Sequence, residues 1–478
     1  PCAEKINMKS IEGTTAYWLI AFMTVLFMVP HSMAPWGNGN YPTDICVYMR
    51  CAEWIQDGLV MYRDMFDHKG PLVYLIYWLF SLPGPEGVWL LDMIILFLSL
   101  LIIYQMARLF MVNSDALMVT TLIALFMQLP FTDEGGPEWI AMPGCIYGCY
   151  VLAKRLNDND FCSLRDIILF SAAVAVCLLT KPNTSAGLIP IALYILWHLV
   201  RNFEWRILAR YSAGVIVGLM IIFTPVLCWL IHEGNIQEFI EAYWYFNTNS
   251  YGPMTTQKKI MGIVYITLVC LPAYWLFAMY LKSARTRRKE VLFVTFLFLF
   301  SLILNAYLKN GYPHYVFPCM AVFAFLLVLS WKTVKANKIL RLTTISLFLL
   351  VGIIVWGVRA YLRLMPFDTS TDKQTALFIN SNTDEDDYVM VCDIDDRSRW
   401  SSTNPSYSFT YRLWLLLDAK PASPYFYLPP SMKPAMRTRS WQLITARMPR
   451  FVVCTEDHKQ DFMKLGYTLQ QDIQNDFY

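Results

Sequence analysis

The stretch PLVYLIYWLFSL, residues 71–82, decides how the rest of the chain is laid across a membrane. It is apolar almost throughout, yet twelve residues make a helix of only about 18 Å, against roughly 30 Å of bilayer hydrocarbon. Pro83, Gly84 and Pro85 stop it there, so it cannot lengthen into a span. Longer apolar runs flank it, near residues 15–33, 87–109, 115–131, 137–153, 166–181, 184–200, 207–231, 259–281, 291–308, 313–331 and 342–361. By length these make about eleven membrane spans. The first, Tyr17 to Val29, follows a polar start without a small-residue cleavage site, and is expected to stay in place as a signal anchor.

Charge fixes the orientation. Basic clusters at Lys154/Arg155/Arg165, Arg201/Arg206/Arg210, Lys282 to Lys289 and Lys332 to Arg341 all belong on the cytoplasmic side under the positive-inside rule. That is self-consistent only if residues 71–82 rest at the interface; were they to cross, every later loop would change side. Residues 34–86, 131–137, 181–184, 232–258 and 309–312 are then extracytoplasmic. The odd number of spans puts everything after Leu364 on the same side. There the pattern changes to strands at Asp387 to Asp395, Ala422 to Leu428 and Arg450 to Glu456, alternating with helices near 371–380, 435–447 and 457–465. The expected organisation is a helical polytopic membrane domain, residues 1–364, followed by a small α/β domain, residues 365–478.

Bulk composition agrees with lipid as the main solvent. Of 478 residues, 56% are hydrophobic and 15% aromatic, and only 16% are charged, too apolar for a soluble chain of this size. The net charge of +3 names no partner, and nothing points to nucleic acid. The 12 Cys are scattered without zinc spacing, which reads as buried thiols. A bridge between Cys46 and Cys51 would need distorted geometry, because five residues apart on a helix they face diverging directions. With no Walker A loop or GxGxxG fingerprint, a nucleotide-driven reaction loses its usual sequence support.

The first outer loop carries a second interfacial helix. Thr43 can cap it, Ile45, Tyr48, Met49, Ala52 and Ile55 form its apolar face, Arg50, Glu53 and Asp57 the other, and Gly58 ends it. Ionisable groups concentrate on this side: Asp44, Arg63, Asp64, Asp67, His68 and Lys69 in the first loop, then Glu138, Lys181, Tyr312, His314 and Tyr315 near later outer connections. Such groups at the ends of apolar helices are costly unless partnered or functional. Asp44, in the first turn of its helix, can cap that helix, accept a proton from an attacking hydroxyl, or bind a cation. Residues 62–71 read either as a solvated ion-paired loop or as a polar pocket. Lys181 can snorkel or neutralise a phosphate. Glu138 complements a helix dipole, and His314 suits an aromatic belt. Together they outline an outward pocket of carboxylates and cations suited to a lipid phosphate.

The strings Tyr41-Pro-Thr-Asp44 and Gly58-Leu-Val-Met-Tyr-Arg-Asp-Met-Phe-Asp-His-Lys-Gly-Pro-Leu72 closely resemble the first outer loop of bacterial glycosyltransferases of the C superfamily. The likeness is to the group with protein mannosyltransferases, aminoarabinose transferases of lipid A and rhizobial galacturonosyltransferases. In them an Asp follows the first span, an interfacial helix ends in Gly-x-x-x-Tyr-x-Asp, and Lys-Pro or Lys-Gly-Pro opens a second such helix. Glu138, Ala141 and Pro143 resemble a further family motif, with Trp139 in place of a second acid; Thr180-Lys-Pro-Asn183 and Pro313-His-Tyr315 also look like family features. The similarity covers about residues 10–365.

The resemblance implies an inverting hexosyl- or pentosyltransferase in the bacterial inner membrane. It would move a sugar from a polyprenyl-phosphate donor to an envelope glycolipid, glycan or protein at the outer face. Asp44 would take the acceptor's proton, and Lys69, Arg63 and Lys181 would steady the donor phosphate. Asp67, His68, Glu138, Tyr312, His314 and Tyr315 would contact substrate. No cofactor is required by the sequence, and a divalent cation, Mg or Mn, serves some relatives. The competing readings are a transporter or flippase of lipid-linked glycans and a non-catalytic glycolipid-binding relative.

Overall fold

The computed structural model describes residues 2–128, 135–158, 162–249, scattered positions from 256 to 299, and residues 317–384, 386–392, 405–426, 434–454 and 456–470. Its long helices, in chain order, are α1 (Cys2–Phe27), α2 (Thr43–Gln56), α3 (Pro71–Phe80), α4 (Pro85–Arg108), α5 (Asn113–Phe126), α6 (Pro137–Asp158), α7 (Leu164–Thr180), α8 (Leu188–Arg201), α9 (Trp205–Glu233), α10 (Phe317–Ala336), α11 (Lys338–Leu364), α12 (Ser370–Asn380), α13 (Pro405–Leu416), α14 (Pro434–Arg447) and α15 (Glu456–Lys464). Each apolar run expected to span, up to residue 231 and again from 313, falls on one of them. The runs near 259–281 and 291–308 lie outside the described residues except at isolated positions. Among the described residues, Pro85–Arg108, Pro182–Arg201, Trp205–Glu233, Phe317–Ala336 and Lys338–Leu364 are long and apolar enough to cross a membrane. This is a polytopic membrane protein.

The chain divides into two compact units. The first comprises residues 1–34, 86–227 and 254–364 and holds most of each long apolar helix among the described residues. Small residues set its packing: Gly144 of α6 lies against Ala173 of α7, and a side chain on Gly218 of α9 would collide with the Ile168 carbonyl of α7. Without a hydrophobic drive between helices in lipid, such close backbone approach holds them together. α10 is buried along nearly its whole length, and its Phe323 stacks on Phe126 of α5 at 3.8 Å.

The second unit comprises residues 35–85, 228–253 and 365–478. Helix α3 begins with Pro71 after an extended Gly70, a placement that wastes no backbone donor. At ten residues it reaches only about 15 Å, too short to cross. Helix α2 departs from expectation in two ways. Its N-cap is Pro42, with no side-chain cap, so Thr43 is the first helical residue instead. Its charged face is covered at Arg50, which is buried and donates to Glu53 at 2.9 Å and to the Ala419 carbonyl at 3.2 Å, while Asp57 is exposed. Trp54 packs edge-on against Trp414 of α13 and Phe426. Gly58 does end the helix, at φ +86°, where a side chain would be strained.

Among the described residues this unit also holds a three-stranded parallel sheet in the order β2-β1-β3, with β1 Tyr388–Cys392, β2 Lys420–Pro421 and β3 Phe451–Cys454. The strand expected over Ala422 to Leu428 is not formed by its described residues. After Ala422 bonds to the Val389 carbonyl at 2.9 Å, the chain bends at Ser423, whose hydroxyl accepts from the Tyr425 N–H, and Pro424 has no N–H to continue a ladder. Helix α13 was not foreseen. Cys46 and Cys51 are both buried thiols, not bridged to each other.

Candidate functional site

The loop between α2 and α3 carries the densest chemistry in the second unit, and four residues of the sequence motif meet there. The Asp44 carboxylate, on the first turn of α2, is about half exposed (48%) and accepts from the Tyr48 hydroxyl at 3.2 Å. The Lys69 ammonium, whose side chain is only 10% exposed, lies 3.8 Å from the same Asp44 oxygen and 5.9 Å from the centre of the Tyr48 ring. It is also 3.2 Å from Nε2 of His68. Nδ1 of His68 in turn lies 3.1 Å from Asp67. Buried Asp67 accepts from the His68 N–H and from the Tyr74 hydroxyl, both at 2.6 Å.

Burial, and then the Lys69 ammonium, hold His68 below the usual imidazole value despite the opposing pull of Asp67. The ring is therefore neutral at pH 7, so Nε2 can accept from Lys69 while Nδ1–H faces Asp67. The unfolded chain binds a proton at this position before the folded one does, and stability is lost as pH falls through and below about 6.5. His68→Gln is expected to flatten that acid limb when the solubilised protein is denatured at a series of pH values. An unchanged limb would show that His68 protonates as readily folded as unfolded.

The loop is braced by hydrogen bonds from the segments packed around it. Tyr62 adopts φ +69°, a left-handed conformation that costs a bulky residue about 1–2 kcal/mol. Strain of this kind persists only where the surroundings over-determine it. Here the Tyr62 hydroxyl donates to the Lys69 carbonyl at 2.9 Å. Asn235 donates to the Met61 carbonyl at 2.8 Å, Asn247 to the His68 carbonyl at 2.7 Å, and the Phe66 N–H to the Pro424 carbonyl at 2.7 Å. Asn247 follows a π turn, Ile240–Tyr245, a widened turn often found at functional sites.

The other sequence candidates are placed differently. Arg63 is exposed and pairs with its neighbour Asp64 at 3.4 Å. In the first unit, Lys181, where α7 breaks into extended backbone before Pro182, forms an ion pair with buried Glu138 at the start of α6. Tyr312, His314 and Tyr315 lie outside the described residues. Among the described residues no group of three or more His, Cys, Asp or Glu is placed to hold a metal ion.

Sequence reasoning passed over two sets of residues. Asn235 and Asn247 carry no motif, and only their contacts reveal a role. The other set is a polar layer in the first unit. His31 Nδ1 accepts from the Met33 N–H at 3.1 Å, which places the ring proton on Nε2, 3.0 Å from fully buried Asp92 of α4. Nearby in the same unit, Arg359 of α11 donates to Gln128 at 2.8 Å. An acid within the run Trp89-Leu-Leu-Asp-Met-Ile-Ile95 was a readable signal.

Residues 46–346 match the family model described as "Putative competence-induced protein Ccs4 N-terminal domain". The chain belongs to that family. No curated protein sequence matches it. Among solved structures, this Ccs4-family chain is similar to ArnT from Cupriavidus metallidurans bound to undecaprenyl phosphate, at 12% identity over 96% of each chain, with a TM-score of 0.61. It is similar to the apo form of the same ArnT at 14% identity, over 95% of this chain and 91% of that one, with a TM-score of 0.58. An Archaeoglobus fulgidus oligosaccharyltransferase in the apo form aligns at 11% identity over 85% of this chain and 64% of that one, with a TM-score of 0.49. The ArnT likenesses establish the fold: it is the glycosyltransferase C fold, as the first-loop motifs implied.

Proposed function

We propose that this protein is an inverting glycosyltransferase that moves a sugar from a polyprenyl-phosphate donor to an envelope acceptor at the outer face of the bacterial inner membrane. The observation that carries the reading is the half-exposed Asp44 carboxylate standing 3.8 Å from the buried-stem Lys69 ammonium on one braced loop. The acceptor oxygen attacks the anomeric carbon, its proton passes to Asp44, and the bond from that carbon to the phosphate oxygen breaks on the opposite face. Polyprenyl phosphate leaves with the bonding pair, its charge met by Lys69. Neutral His68 holds the ammonium without competing for it as a cation. The donor arrives already activated, so no nucleotide site is needed.

Two further facts support the reading: the fold is shared with an ArnT that holds undecaprenyl phosphate, and the first-loop motif is present in order. Lys181 and Glu138, as a mutual pair, fit a supporting role more readily than a direct grip on phosphate. The deciding experiment is reconstitution with a mixed pool of polyprenyl-phosphate sugars and an envelope lipid extract, read by mass spectrometry. Free polyprenyl phosphate should appear in step with a product heavier by one sugar. Movement of intact donor between leaflets, with neither product, would instead make the protein a transporter.

A further inference from the structure

Past the end of α9 the chain forms a further helical stretch, Ile236–Phe239, Ile240–Tyr245 and Phe246–Asn249 in unbroken succession. Gly234, at φ +64°, makes the turn between the two, a backbone conformation that suits glycine. Residues 228–253, which include this turn and the whole stretch, belong to the second unit.

One face of the stretch grips the candidate-site loop. Asn235, just before it, and Asn247, within it, hold the Met61 and His68 carbonyls. Between them Phe239 meets the Tyr62 ring at 5.6 Å, and Phe246 meets the Phe66 ring at 5.1 Å and the His68 ring at 5.5 Å. Ala242, Tyr243 and Phe246 are buried on this side.

A second face carries apolar groups into the open. Ile236, Ile240 and Trp244 stand four apart, a spacing that lines them up along a helix, and all three are exposed, Trp244 at 59%. Gln237, Glu241 and Thr248 form a separate exposed stripe, in which Gln237 donates to Glu241 at 3.2 Å. A helix divided in this way between an apolar and a polar exposed stripe suits the boundary of hydrocarbon and water, and tryptophan is enriched at that boundary.

Two observations name the occupant of the apolar stripe. First, it continues the outside of a span: the last turn of α9, before Gly234, still exposes Ile231, and α9 is long and apolar enough to cross a membrane. Second, residues 236–249 include two acids, Glu238 and Glu241, and no Lys or Arg. Attraction to anionic headgroups therefore has no part in the contact, and burial of apolar surface is what the stripe offers.

We propose that Ile236, Ile240 and Trp244 seat this stretch in the bilayer leaflet at the C-terminal end of α9, so that the membrane itself holds residues 62–69 at headgroup level. Asn235 and Asn247 pass the constraint on to the loop. The assignment concerns where the loop stands and holds whichever reaction it serves.

The test is photocrosslinking of the full-length protein in nanodiscs. p-Benzoylphenylalanine replaces Ile240, Trp244, Glu241 or Thr248, one at a time, and the adducts formed on illumination are identified by mass spectrometry. Positions 240 and 244 should give phospholipid adducts at several times the yield of 241 and 248. The yield should be the same in phosphatidylcholine alone and with half of it exchanged for phosphatidylglycerol. Positions 240 and 244 are read independently, so one variant that does not fold leaves the other. The proposal is overturned if the two stripes react alike with lipid, if 240 and 244 react instead with this chain or a second copy of it, or if their adducts require phosphatidylglycerol. It is equally overturned if added polyprenyl phosphate removes the phospholipid adducts, which would give the stripe to a substrate lipid.

Discussion

Asp44→Asn is expected to lower turnover by about two to four orders of magnitude, the range for removing a positioned proton acceptor. The amide keeps the shape of the carboxylate, and its oxygen can still accept from the Tyr48 hydroxyl. Because the carboxylate is half exposed and its ion pair with Lys69 of the loop is long, at 3.8 Å, stability should change by no more than about 1 kcal/mol. Polyprenyl phosphate should bind about as well as to wild type, since in the proposed mechanism the acid acts on the acceptor's proton rather than on the leaving group. A melting curve and a binding measurement beside the rate assay would therefore show a catalytic loss isolated from fold and donor affinity. Transfer at the wild-type rate would remove Asp44 from the mechanism.

Lys69→Met is expected to be nearly as damaging, by a different route. In the proposed mechanism charge develops on the leaving phosphate in the transition state, and removing one preorganised cation aimed at such a charge costs on the order of 10²–10³ in rate. Methionine fills a comparable sleeve beside Tyr48, and it takes away a charge whose stem is mostly buried, so the folded state should not suffer. Here donor affinity should fall together with kcat, which separates the variant from Asp44→Asn. A Lys69→Met protein with unaltered donor affinity and rate would mean that the phosphate is met elsewhere.

Much of this was legible in the linear sequence because it depends on local rules. Length alone set α3 apart from a span, Gly58 marked the end of α2 by its need for positive φ, and the order Asp44, Asp67-His-Lys69, Pro71 carried the resemblance that the fold later matched. What escaped depends on long-range contacts. An amphipathic reading of α2 assumed that Arg50 faces water, whereas a carbonyl from residue 419 and the α13 tryptophan cover that side. Asn235 and Asn247 look like ordinary loop residues until their amides are seen bonded to carbonyls more than 170 positions earlier. The 422–428 segment has strand-forming residues, but its bend and proline redirect the chain.

The cover over α2 has a bearing on how the protein is made. Trp54 is translated about 360 residues before Trp414, and further still before Phe426, the side chains that enclose it. Until translation reaches that far, the indole and the Arg50 guanidinium lack their final neighbours. The nascent helix bearing Asp44 must wait, incomplete, while those intervening residues are made, so this region matures well after its own translation.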